Sequence, residues 1–147
     1  QYCLHRCIIH IADNLVIRPS WLEYSALPGQ AVVNIDELQQ LIREAAAVQV
    51  MDSIYEYVTK LTQATREHPM IALGVSPRGA LAVCRMAKAY AYLHGRDYVI
   101  PEDVVAVFVD TCAHRLVLAT KARMMEEKPE SLLRSVIESV KMPVIKK

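Results

Sequence analysis

The chain has 147 residues, 53% of them apolar, and a formal net charge of +1. That length suits one domain with a real core, or one domain with an attached arm, and the apolar share excludes intrinsic disorder. The near-neutral balance gives no global attraction to nucleic acid or to an anionic membrane, and no apolar run reaches the roughly 18 residues that cross a bilayer.

The four cysteines, Cys3, Cys7, Cys84 and Cys112, form no disulfide framework. Cys84 and Cys112 fall in apolar helical runs and read as small buried thiols, which favours a reducing, cytoplasmic setting. The N-terminus lacks the basic segment, apolar segment and small-residue cleavage site of a signal peptide. The chain opens on Gln1 instead of methionine, which points to a piece of something longer.

Residues 1–33 show little period. Short extended pieces at 15–17 and 31–33, separated by Pro19, Pro28 and Gly29, predict an irregular arm or a remnant of a linker from a preceding domain. From Asn34 to about residue 143 the pattern is that of an all-α helical bundle. Asn34 or Asp36 caps a first helix to about residue 46, with Leu38, Leu41, Ile42 and Ala45 on one face. A connector at 48–50 leads to a second helix over 51–67. Ile54, Val58, Leu61 and Thr65 form its inner stripe, and Glu56 and Lys60 make an i,i+4 pair outside. His68-Pro69 ends it, because the residue before a proline leaves the helical region.

After a loop containing Gly74, a third helix runs from Pro77 to about residue 94 and is closed by Gly95. Its apolar residues lie almost all round, the profile of a central helix packed on several sides. Arg78, Arg85, Lys88 and Tyr92 break that profile and fall along one face, giving the helix a basic edge. A turn at Gly95-Arg96-Asp97 and an extended Tyr98-Val99 precede a fourth helix. Pro101 at its first position and Glu102 and Asp103 in its first turn are favoured there. Val104, Val105, Val107, Phe108 and Cys112 face inward, and so many β-branched residues make a strand the competing reading. A charged linker over 121–129 then leads to a last helix over 130–140, with Leu132, Leu133, Val136 and Ile137 inward.

Few residues offer chemistry. Cys3, His5, Cys7 and His10 crowd the N-terminus, but their spacing matches no zinc template, so no metal site is assigned. There is no Gly-x4-Gly-Lys-Ser/Thr loop and no strand ending in paired acids for magnesium, so the chain alone is not expected to be catalytic. The informative stretch is Gly74-Val75-Ser76-Pro77-Arg78-Gly79-Ala80. Ser76 is a competent N-cap, and Pro77 suits the first helical turn, where its missing N–H costs nothing. Arg78 is therefore held at an exposed helix start whose local field favours anions, with Arg85 two turns along the same face and Lys88 beyond it. A phosphate or carboxylate from a partner surface fits. A nucleic-acid groove fits less well, since the face lacks an extended cationic field and aromatic interleaving beyond Tyr92.

These residues carry a resemblance. His68-Pro69, Leu73-Gly74-Val75-Ser76-Pro77-Arg78-Gly79-Ala80, Ala87-Lys88-Ala89, the run from Gly95-Arg96-Asp97-Tyr98-Val99-Ile100 to Pro101-Glu102-Asp103-Val104, and His114-Arg115-Leu116 together resemble the C-terminal lid of MoxR-type AAA+ ATPases. The similarity extends loosely from Asn34 to Pro143. It implies a small helical domain packed over a nucleotide on a separate α/β core, with Arg78 as the sensor-2 arginine reaching the γ-phosphate and Ser76, Pro77 and Gly79 binding the nucleotide beside it. It further implies ATP with Mg²⁺ in the full-length protein, little affinity for ATP in the excised lid, neighbouring subunits in a ring, and chaperone-like remodelling of partner proteins. Three positions depart from the family pattern. Val75 and Gly79 stand where alanine is usual, and a glycine in the first turn costs up to about 1 kcal/mol of helix stability. Ile100 replaces the usual threonine or serine cap. Two readings of other classes stay open: a stand-alone helical interaction or regulatory module, and a small DNA-binding helical domain using Arg78, Arg85, Lys88 and Arg96.

Overall fold

The computed structural model describes residues 33–144. The arm expected over 1–33, and with it Cys3, His5, Cys7 and His10, lies outside the described residues apart from Val33. Among the described residues the fold is a bundle of helices with one small two-stranded sheet. None of these helices is long and apolar enough to cross a membrane.

Helix α1 (Ile35–Ala47) starts at a capping box. The Asn34 side chain accepts from the Glu37 N–H, and the Glu37 carboxylate accepts from the Asn34 N–H, each at 2.8 Å. It buries no residue, and Leu38, Leu41 and Ile42 stay about two-fifths exposed. The connector after it is not idle. Gln49 and Tyr98 form a parallel bridge, with Gln49 N–H donating to Asp97 O at 2.8 Å and Val99 N–H to Gln49 O at 3.0 Å. This bridge draws Val48 and Val99 into the core.

Helix α2 (Asp52–Glu67) buries the expected stripe of Ile54, Val58, Leu61 and Thr65, together with Tyr57 and Thr62. Its outer Glu56–Lys60 pair stands at 3.9 Å in solvent. Extended His68 ends it before Pro69. The following stretch was expected as loop but carries strand β1 (Ile71–Leu73), which pairs antiparallel with β2 (Val117–Leu118). Strands of three and two residues show no period that a sequence can reveal.

Helix α3 (Pro77–Leu93) is central, in contact with α1, α2 and, most extensively, α4 (Pro101–Cys112). It is not packed all round: Gly79, Val83, Met86, Ala87 and Ala91 are buried, whereas Leu81 and Leu93 are about 60% exposed. Gly95 closes it in the left-handed region at φ 69°. Gly95 N–H bonds to Tyr92 O and Arg96 N–H to Ala91 O, the two bonds of a Schellman cap. The β-branched run is helical: α4 buries Val104, Val107, Phe108, Thr111 and Cys112 against α3 and α2.

A 3-10 turn at Ala113–Arg115 leads into β2. Where a charged linker was expected, a short helix α5 (Thr120–Met124) forms, because Ala122 is fully buried with Ile71 and Leu132 in a second, smaller core. Helix α6 (Pro129–Ser139) closes the bundle through Leu132, Leu133 and Val136, with Ile137 half-buried.

Candidate functional site

The turn into α3 is built from three directions. Ser76 has extended backbone (φ −73°, ψ 164°); its Oγ accepts from the Gly79 N–H at 3.2 Å and its carbonyl from the Ala80 N–H at 3.1 Å. Pro77 brings no N–H to satisfy. Immediately upstream, Val75 is fully buried and both of its backbone groups are tied to α2. Its N–H donates to Thr65 Oγ1 at 2.9 Å, and its carbonyl accepts from Arg66 Nε at 2.9 Å. The Thr65 hydroxyl donates onward to Thr62 O at 2.6 Å, so its proton is committed and its lone pair faces Val75.

Two glycines make this approach feasible. A Cβ on Gly74 would stand 2.7–2.8 Å from the backbone N and Cα of Arg66, so only glycine lets the loop cross α2 here. A Cβ on Gly79 would stand 2.6 Å from Val75 Cγ1. The Gly79 slot also faces the Arg115 side chain, whose Cδ lies 3.5 Å from that position while its Nε donates to Thr111 O at 3.0 Å. The end of the α4 segment therefore leans on the first turn of α3.

Arg78 projects from this turn into solvent, with no hydrogen-bond or ion-pair partner among the described residues. The exposed Leu81 and Arg85 follow it at three and seven residues, on the same side of the helix. Lys88 has other work. It lies about 15 Å along the axis from Arg78, at 1.5 Å per residue, and its Nζ donates to Ala46 O at 2.9 Å. That carbonyl belongs to the last turn of α1, which has no basic residue of its own. Tyr92 likewise donates its hydroxyl to Glu44 Oε2 of α1. This bond, helped by Gln40 and Arg43, holds the Glu44 carboxyl below its ordinary range, and it pushes the Tyr92 phenol up.

The basic edge therefore divides. Its N-terminal end is presented outward, and its C-terminal end fastens α1. Arg96 joins neither end: it grips the buried Asp103 with two bonds of 2.6 and 2.5 Å. Asp103 also accepts from the Ile100 N–H at 2.9 Å, so the helix start with no side-chain cap at Ile100 is answered three residues later. With Lys88 and Arg96 so occupied, the four residues considered for DNA do not present one cationic face.

Arg66 is a site residue that the sequence did not mark, and Thr65, Gly74 and Arg115 stood in its stripe and motifs without the bracing roles they have here. A hydroxyl on the apolar stripe of α2 was the one available signal. Among the described residues no group of three or more His, Cys, Asp or Glu side chains is placed to hold a metal.

Comparison with known proteins identifies the fold. A family model described as the AAA lid domain matches residues 63–136, which include Thr65, the Ser76-Pro77-Arg78 turn and Arg115. An uncharacterized Bacillus subtilis protein, YeaC, is 41% identical over 115 residues, covering 78% of this chain and 36% of the relative. The chaperone MoxR1 of Mycobacterium tuberculosis is 34% identical over 129 residues, covering 80% of this chain and 34% of the relative. A crystal structure from Cytophaga hutchinsonii described as an ATPase superposes with a TM-score of 0.73 at 28% identity, over 78% of this chain and 38% of that one. The chain thus spans little more than a third of the length of these relatives. With the lid model matched over half of the chain and MoxR proteins among its relatives, the helical fold has its family: the chain belongs to the AAA lid domain family, as the C-terminal lid of a MoxR-type AAA+ ATPase.

Proposed function

We propose that this lid senses nucleotide through Arg78, acting as the sensor-2 arginine toward ATP and Mg²⁺ held by a separate nucleotide-binding core. The observation that carries the reading is an exposed guanidinium, without a partner among the described residues, on a helix N-terminus fixed from both sides. The residues fit a phosphate: Arg78 supplies charge, and the start of α3 supplies the positive end of a helix dipole. Bound ATP supplies the phosphoryl chemistry. Arg78 contributes electrostatic stabilisation of its terminal phosphate, in an interface that excludes water when the lid closes.

Rotation of the lid then follows from the same contact. An arginine that gains a charge-assisted bond in one nucleotide state and loses it in another biases the lid between two positions. In a ring of subunits such a bias is the drive for remodelling partner proteins, a reading in keeping with the mycobacterial relative's being named a chaperone. Arg78→Ala in the full-length protein is the test. ATP turnover falls by about a hundredfold, the scale of losing one transition-state charge contact, with the lid fold intact by circular dichroism. Unchanged turnover would remove the sensor assignment.

A further inference from the structure

Resting on that reading of Arg78, we infer that Thr65 and Arg66 at the end of α2 are positioning residues for it, clamping the Val75 backbone so that the arginine meets nucleotide as part of α2 as much as of α3. The assignment comes from how little freedom the turn retains. The Val75 N–H is held by Thr65 and the Val75 carbonyl by Arg66. Gly74 lies directly on the Arg66 backbone, and the Val75 side chain fills the place of the missing Cβ on Gly79. Arg78 is three residues from this clamp, and the intervening Ser76 and Pro77 are fixed by the cap and by the proline ring.

Each part of the clamp is specific. Thr65 is fully buried on a stripe where Val or Ile would pack as well, yet it carries a hydroxyl whose proton and lone pair are both used. Arg66 is on the exposed side of α2, and its Nε reaches across to a backbone carbonyl. Such bonds do not contact nucleotide. They decide whether the arginine arrives in register, and a misplacement of about 1 Å at a catalytic contact costs up to about a hundredfold in rate.

The test uses the full-length protein with its nucleotide-binding core, assayed well below its melting temperature. Thr65→Val keeps the volume and removes both bonds of the hydroxyl, while Thr65→Ser keeps them. The valine variant loses about tenfold in ATP kcat with KM for ATP changed by less than about twofold, and the serine variant recovers to within about twofold, because misplacement acts on the transition state and the core still binds the nucleotide. Ile54→Val, buried at the far end of α2, is the control for stability alone; it leaves kcat unchanged at a comparable loss of melting temperature. In an Arg78→Ala background, Thr65→Val has no further effect on kcat.

Outcomes separate the two claims. If Arg78→Ala leaves turnover intact, the sensor reading fails and the positioning role falls with it. If Arg78→Ala is deleterious but Thr65→Val keeps full kcat, multiplies independently with it, or is matched by Ile54→Val, the clamp alone is overturned.

Discussion

Val75 and Gly79 share one volume. The fully buried isopropyl group of Val75 reaches to within 2.6 Å of where a Cβ on Gly79 would sit, so the larger residue at one position requires the smaller at the other. Both positions depart from the alanines expected by resemblance, and the two departures compensate. The glycine that looks like a defect in the first turn of α3 is a packing requirement. It also locks the residue whose backbone is clamped by α2, so the seat of Arg78 depends on the pair.

A double-mutant cycle follows from this. Gly79→Ala alone forces a stiff β-branched side chain to move and costs about 1–3 kcal/mol, even after the gain in helix propensity. Val75→Ala alone removes buried methyl groups and costs about 2 kcal/mol. The double variant restores the volume with two alanines and is more stable than the sum of the singles by at least about 1 kcal/mol. Chemical denaturation of the four proteins measures it, and strict additivity would contradict the shared volume.

Acid should release α1 before it melts the bundle. Glu44 titrates below its ordinary value because Tyr92, then Gln40 and then Arg43 favour the carboxylate. A depressed folded value means that the contribution is complete above the unfolded carboxylate pKa and is lost as the pH falls through the folded one. Among the described residues α1 is fastened to α3 by the hydrogen bonds from Tyr92 and Lys88 and fully buries no residue. The protection factors of the α1 amides, their exchange rates corrected for the intrinsic pH dependence, therefore fall as the pH drops through the carboxylate range. Tyr92→Phe exchanges faster than the parent at neutral pH, and the two converge in acid. Parallel profiles at every pH would show that the bond does not fasten the helix.

Much of this architecture is legible in residues. The α2 stripe, the Asn34 and Ser76 caps, Pro77, Gly95 and Pro101 mark helices by local rules that tertiary contacts leave in force. Arg78 as an outward charge follows from the same rules, because a cap fixes the start of a helix and hence which side chain stands there. What stays hidden is set by distance along the chain. Thr65 reaches Val75 through a fold-dependent crossing, Arg115 comes to Gly79 from the far side of α4, and Ala122 forms a helix because Ile71 and Leu132 need cover. Lys88 and Tyr92 read as an anion-seeking edge because α1, which they fasten, docks only in three dimensions.

The Cys112 thiol should be inert while the lid is folded. Burial pushes its pKa up to about 12, against a smaller lowering by Arg115. At pH 8 the thiolate population is then about a thousandfold below that of an ordinary cysteine. Alkylation mapped by peptide mass leaves Cys112 unmodified in native buffer and labels it fully in urea. Half-buried Cys84, whose thiol is raised chiefly by desolvation, reacts at an intermediate rate. Fast native labelling of Cys112 would mean that the α3–α4 core opens.

Asp103 and Arg96 tie the turn after α3 to the start of α4. The carboxylate is 1% exposed and accepts two guanidinium bonds as well as the Ile100 N–H. Removing its charge leaves Arg96 facing an uncharged buried partner, so Asp103→Asn costs about 2–4 kcal/mol; the lower part of that range applies because the Arg96 side chain keeps 23% of its exposure. Arg96→Met costs more, since it leaves an unpaired carboxylate in the core. Combining Asp103→Leu with Arg96→Met recovers much of that loss, because an apolar pair has no desolvation to offset and the Ile100 N–H and the exposed Tyr98 carbonyl can turn to solvent. Thermal denaturation of the three variants orders these costs. If Arg96→Met is the mildest, the arginine is a surface residue after all, and α4 is capped by Asp103 unaided.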